Sequence, residues 1–253
     1  MIDVLEIMSL RLKYEKSILR QIVEFDTVPF RFMVLGVIEY TEDTIELYDG
    51  FYSLQFQIDK NIYMLLTSSK CTLGTKLCVF GASVLLKEPT SIFEVQGSAM
   101  KLSYNGIKVC QNDLKLGESG KISFLNTIGE LRSDGGTVSA LVVRIKKILE
   151  MKYLVTIENY KNRVDDLEKE IEKIIEIAEK TGNALKLEDI KARRYCKMII
   201  EDDTGECQLT WWLPPELKVS DQYKLVFLNT VGEYYGIQLS TTKSTYFEKL
   251  TNK

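Results

Sequence analysis

The hydrophobic rhythm of the chain changes several times. Leu5, Met8, Leu12, Leu19, Ile22 and Val23 recur mostly at steps of three and four, with charges between them. That is the period of an amphipathic helix, and it predicts an N-terminal helix over 1–28, ended by Asp26-Thr27-Val28-Pro29. From Phe30 the pattern becomes strand-like: FRFMVLGVIEY, then TIELY, then FYSLQFQI after the turn Asp49-Gly50. In the third run Tyr52, Leu54, Phe56 and Ile58 form an apolar face, opposite Phe51, Ser53, Gln55 and Gln57. DKNIYMLLTSS reads as a short helix, and Thr75–Lys87 and Met100–Cys110 as two more strands, with a kink at Gly81. The order strand, strand, strand, helix, strand, strand fits an OB-fold, a small five-stranded Greek-key barrel. A small SH3-like barrel or a fragment of a sandwich gives a similar pattern.

The same order returns after a glycine-bearing connector that ends at Ser133-Asp134-Gly135-Gly136. A long strand begins at Thr137, RYCKMIIED and ECQLTWW form a hairpin about Thr204-Gly205, and two further strands follow. Between the first two strands lies a charged segment with Val164, Leu167, Ile171, Ile174 and Ala178 at alternating steps of three and four. ALKLEDIKARR can supply a returning helix, so a self-contained helical hairpin is expected, with an intermolecular coiled coil as the alternative. The fold class is therefore mainly β with helical additions: two tandem OB-folds, at 29–120 and 121–253, the second interrupted by a helical-hairpin insertion at about 158–192.

Composition narrows the chemistry. An apolar fraction of 45% fills ordinary cores, and no run approaches a membrane span, so no membrane role is expected. The charged N-terminus has no signal-like apolar core. Five cysteines without a C-x-x-C pair predict reduced thiols. There is no histidine, which removes His-based catalysis and His-ligated zinc, and no Gly-rich phosphate loop appears. The chain reads as a binding protein, not an enzyme, with no cofactor or metal. The net charge is −3. Glu158 to Lys180 holds eight acids and five bases, which leaves the rest of the chain neutral. No part is strongly basic, which counts against high nonspecific nucleic-acid affinity.

Strand parity selects candidate binding residues. Leu141, Val143 and Ile145 point inward, so Arg144 and Lys146 point out; Cys196, Met198 and Ile200 point inward, so Tyr195 and Lys197 point out. Trp211 shares the apolar face, whereas Trp212 faces the other way. An exposed aromatic beside cations suits single strands, because bases stack on it while cations hold phosphates. Alternatively the Pro214-Pro215 loop or the insertion covers Trp212. Arg144, Lys146 and Lys152 on one strand, with Arg193, Arg194 and Lys197 on the other, form either solvated strand faces or one basic groove. On the first barrel, Phe51-Ser53-Gln55-Gln57 carries no positive charge and suits a protein partner.

Several runs carry a likeness in order along the chain: YDGFYSLQFQID, LGTKLCVFGA, MKLSYN, LRSDGGTVSALVVRI, LTWWLPP and LSTTKSTYFEKL. They resemble the first and second OB-folds of the breast-cancer type 2 susceptibility protein family, whose second OB-fold is interrupted at this place by a helical tower. The resemblance implies a nuclear mediator of homologous recombination and double-strand break repair. It would bind single-stranded DNA, pair with a small acidic protein on the first OB-fold, and help load a RecA-type recombinase. Trp212 aligns with the family's strand tryptophan, and Phe51, Leu12 and Leu19 become candidate contacts for the acidic partner. Departures are visible: the tower is a stub, nothing resembles the BRC repeats or a third OB-fold, the helical domain is reduced to one helix, and Phe51, Gln55 and Leu213 replace a Trp, a Lys and an Arg of the pattern. A protein-interaction scaffold and a replication- or telomere-type single-strand binder are the alternatives.

Overall fold

The computed structural model describes residues 16–110, 114–157, 160–181, 190–233 and 236–250. Leu5, Met8 and Leu12 of the expected N-terminal helix lie outside them. Helix α1 (Ile18–Val23) is what is described of it, and its Ile18, Leu19, Ile22 and Val23 are buried in the first core.

The first sheet contains β1 (Phe32–Tyr40), β2 (Thr44–Tyr48), β3 (Ser53–Gln57), β4 (Lys76–Phe80), β5 (Ser83–Val84), β6 (Ser98–Lys101) and β7 (Ile107–Val109), with β8 (Gly117–Glu118) added against β1. Its order is β5-β6-β3-β2-β1-β4-β7. Because β4 and β5 are two halves of one run, this path closes on itself. The bend between them is at Gly81, which has φ +69, and an added Cβ there would meet Thr137 at 2.9 Å. Pairing is antiparallel except that β3 and β6 run parallel. Alternation does the packing: Ile45 faces Phe56 and Leu47 faces Leu54 across β2–β3, all turned into one core. Helix α2 (Lys60–Ser68), capped by the Asp59 carboxylate accepting from the Ile62 amide at 2.9 Å, adds Ile62 and Leu66 to that core.

The second sheet contains β9 (Thr137–Ile157), β10 (Tyr160–Val164), β11 (Lys191–Asp202), β12 (Gly205–Trp212), β13 (Gln222–Glu233) and β14 (Ile237–Leu250). Its order β10-β9-β11-β12-β14-β13 is closed by β13 pairing with β9, and again one pairing, β12 with β14, is parallel. Both barrels thus share one topology.

The insertion departs from expectation. Its helix α3 (Leu167–Thr181) is present, but β10 precedes it and Lys191–Arg194 are strand, not the end of a returning helix. Leu185 and Leu187 lie outside the described residues. The helix stripe packs on strands: Ile174 sits with Val155 and Ile157, joined by Val164, Leu167 and Ile190. The period-two alternation of residues 191–202 continues the barrel strand into the insertion, and pairing to β9 outweighs local helix propensity.

The thiol expectation is also corrected. The topology brings residues 78 and 110 onto adjacent strands, and they form a disulfide with Cα atoms 5.5 Å apart. Cys71, Cys196 and Cys207 are free and buried; burial, with Asp202 nearby, pushes the Cys207 thiol up to about 12.

Several contacts join the barrels, among them the Lys108–Glu130 ion pair at 3.1 Å and the Phe32–Phe124 ring contact at 5.5 Å, and two side chains stand out. Asn105, after β6, donates its side-chain amide to the Arg132 carbonyl and accepts from the Arg132 amide, both at 2.9 Å. Phe227 interrupts the β13–β14 register at φ +69 and turns its ring onto Phe30 and Phe80, at 4.7 and 5.9 Å.

Candidate nucleic-acid interface

The outer face of the second barrel is set by strand register. Tyr195 of β11 stands between Lys152 of β9 and Trp212 of β12. The Tyr195 and Trp212 rings lie 5.1 Å apart. Trp212 is half-buried, and its indole N–H donates to the Ser240 hydroxyl at 3.2 Å, which fixes the ring's edge. Trp211 faces the core, as parity predicts, and is 2% exposed.

Tyr195 corrects the sequence expectation. It is on the outer side of the sheet, yet only 2% exposed, because large neighbours in adjacent strands cover it. Its hydroxyl is buried without a hydrogen-bond partner. Parity reports which side a residue faces; it does not report how tall the neighbours are.

The expected basic groove is mostly neutralised. Arg144 pairs with Glu201 at 2.7 Å, and Lys146 pairs with Glu206 and, at 3.6 Å, with Glu201. The hydrogen bond that Lys146 donates to Glu206 holds the Lys146 pKa above its ordinary value. Glu150 takes Lys197 at 2.7 Å and Lys152 at 3.1 Å. Those two hydrogen bonds, Lys197 first, keep the Glu150 carboxyl below the ordinary carboxylate value against a smaller effect of burial. Arg193 and Arg194 are adjacent in one strand and so face opposite ways. Arg194 donates to the Pro214 carbonyl at 2.8 Å and holds the loop after β12; Arg193 is exposed. Glu150 counts against these bases in the sequence, but its two partners do not show there, and Glu201 and Glu206 are visible in the same runs without any sign that they face Arg144 and Lys146. Two β-bulges in the β9–β11 pairing make their partners hard to read from parity alone.

The first-barrel candidates separate. Leu19 is fully buried in the core and cannot meet a partner, because its helix face is the packing face. Leu12 lies outside the described residues. Phe51 is half-buried and lines a groove of about 890 Å³ with Val28, Phe30, Leu116 and Ile122, rimmed by Lys16, Lys121 and the Arg31–Glu118 pair at 2.9 Å. No cluster of three or more His, Cys, Asp or Glu side chains that could hold a metal occurs among the described residues.

Two closed barrels of this topology, in tandem, define an OB-fold protein. Residues 17–120 match the family described as BRCA2, oligonucleotide/oligosaccharide-binding, domain 1. Among solved structures, the chain is similar to a replication factor A related protein from Methanobacterium thermoautotrophicum. Identity is 17% over 52% of this chain and 96% of the other, with a TM-score of 0.33. It is also similar to a replication protein A heterotrimer bound to single-stranded DNA, at 12% identity over 90% and 51%, TM-score 0.34. A murine DNA-binding protein bound with double-stranded DNA is 9% identical over 88% and 97%, TM-score 0.32. These similarities fix no residue correspondence.

Proposed function

We propose that this protein is a nuclear single-stranded-DNA-binding mediator of homologous recombination and double-strand break repair, acting with a small acidic partner and a RecA-type recombinase. The observation that carries the reading is the half-exposed Trp212 ring on the outer face of the second barrel, backed by the buried Tyr195 ring 5.1 Å away. Base stacking on an aromatic platform contributes about 1–3 kcal/mol per base and tolerates any sequence. The carboxylates that pair the barrel's own cations lower its nonspecific electrostatic attraction for single strands and duplexes alike, so stacking carries more of the binding there. The match of residues 17–120 to a BRCA2 domain supports the recombination context, and the insertion between β9 and β11 corresponds to a much shortened tower.

In this reading the acidic partner occupies the groove at Phe51, where apolar walls meet Lys16, Lys121 and the Arg31–Glu118 pair. Leu19 is no longer among its contacts. Direct contact with the recombinase has no assigned surface. The test is an anisotropy titration of labelled oligo(dT) with the wild type and Trp212→Ala. A drop of about tenfold in affinity, the equivalent of 1.4 kcal/mol, supports the reading; equal affinities remove Trp212 from the site.

A further inference from the structure

The insertion extends the second barrel into a three-stranded platform, and its two faces have opposite character. One face carries Val155 and Ile157 and is covered by α3, with Ile174 packed on them and Asn162 donating to Glu170 at 2.8 Å. The other face is open. Register places Lys161 and Lys191 on either side of Thr156, and Arg163 and Arg193 on either side of Leu154. Cross-strand partners point to the same side of a sheet, and residues two apart share a face. The four cations therefore form a two-by-two array, about 10 Å across the strands and about 7 Å along them. All four are exposed. Among the described residues none has an ion-pair partner, in contrast to Arg144, Lys146, Lys152 and Lys197 on the barrel proper. The next row on this face, one step toward the barrel, is Lys152–Tyr195–Trp212.

We infer that this platform is a phosphate-binding track for nucleic acid, which takes the backbone of a single strand whose bases stack at Trp212. This inference rests on the second barrel being the single-strand site and adds where the electrostatic part of binding arises. Charge complementarity and continuity with the aromatic row select a polyanion lying along β9. The barrel's own cations are held by carboxylates, so uncompensated charge on this face is concentrated on the insertion.

The experiment compares salt-dependent titrations of a long oligo(dT) with the wild type, Trp212→Ala, and the quadruple variant Lys161→Gln, Arg163→Gln, Lys191→Gln, Arg193→Gln. Each phosphate contact contributes about 0.7 to the logarithmic salt slope on single strands, so the quadruple variant should lose about 2.8 and bind at least about tenfold more weakly at 50 mM salt. Lysine acetylation of the wild type, with and without oligo(dT), reads the same contact without a variant: Lys161 and Lys191 should become protected. If Trp212→Ala weakens binding while the quadruple variant keeps its slope and the two lysines stay reactive, the track is overturned and the second-barrel site survives. If only the quadruple variant weakens binding, the track stands and Trp212 is not the platform. Protection by a duplex of equal length but not by oligo(dT) overturns the single-strand track.

Discussion

At residue scale, the buried Asp49 shows how one side chain serves two elements. Its carboxylate accepts from the Phe51 and Tyr52 amides at 2.9 and 3.0 Å, closing the β2–β3 turn, and from the Ser17 hydroxyl and Leu19 amide at 2.6 and 3.1 Å, anchoring α1. Removing it strands four donors. Asp49→Ala should cost about 3 kcal/mol, measured by urea unfolding, because bonds to a buried charge are the costly ones to lose. The Asp49-Gly50 turn is legible in the sequence; its second duty is not, because it joins residues thirty apart. Glu150 carries the opposite kind of prediction. Glu150→Gln frees Lys197 and leaves Lys152 with Asp165 at 3.7 Å, so oligo(dT) should bind more tightly, with a salt slope steeper by about 0.7. Acidification works in the same direction. The Glu150 pKa is depressed, so its ion pairs persist above the ordinary carboxylate value and are lost as pH falls through the lower folded value.

At the scale of elements, the strands were readable from alternation, and the short helices from their caps and period. The insertion was only half readable. The a/d stripe of α3 correctly announces a packing face, but a stripe cannot say whether its partner is a helix or a sheet. Here it packs on the far end of β9, a run that reads as strand through to Ile157; what the sequence did not show is that β10 and Lys191–Arg194 pair with that end. Because Ile174, Val155 and Ile157 form a cluster separate from the barrel core, Ile174→Ala should loosen α3 locally, by about 2 kcal/mol. Hydrogen exchange should quicken in 167–181 and stay unchanged in 138–145. Faster exchange in both would show the insertion to be part of the barrel's cooperative unit.

At the scale of the molecule, two barrels of one topology have different surfaces. The first offers an apolar groove with a cationic rim; the second offers an aromatic row leading to a cationic platform. Among the contacts holding them are Asn105 and Phe227, whose strained backbone is the cost of turning its ring toward Phe30 and Phe80. Phe227→Ala removes two edge-to-face contacts and the burial beneath them, about 3 kcal/mol. Calorimetry should then resolve two transitions in place of one. The tandem repeat itself was legible, since the order of runs recurs. Which outward residues are available was not, since the ion pairs of Arg144, Lys146 and Lys197 depend on bulges, and the cover over Tyr195 depends on neighbours from other strands.

The central claim is that single-stranded DNA lies on the outer face of the second barrel. The most direct measurement is photo-crosslinking with an oligonucleotide carrying 5-iododeoxyuridine, followed by peptide mapping. Crosslinks at Trp212, with flanking ones in β9 to β11, are the predicted result. Crosslinks confined to the first barrel, around Phe51 and Phe30, would contradict it.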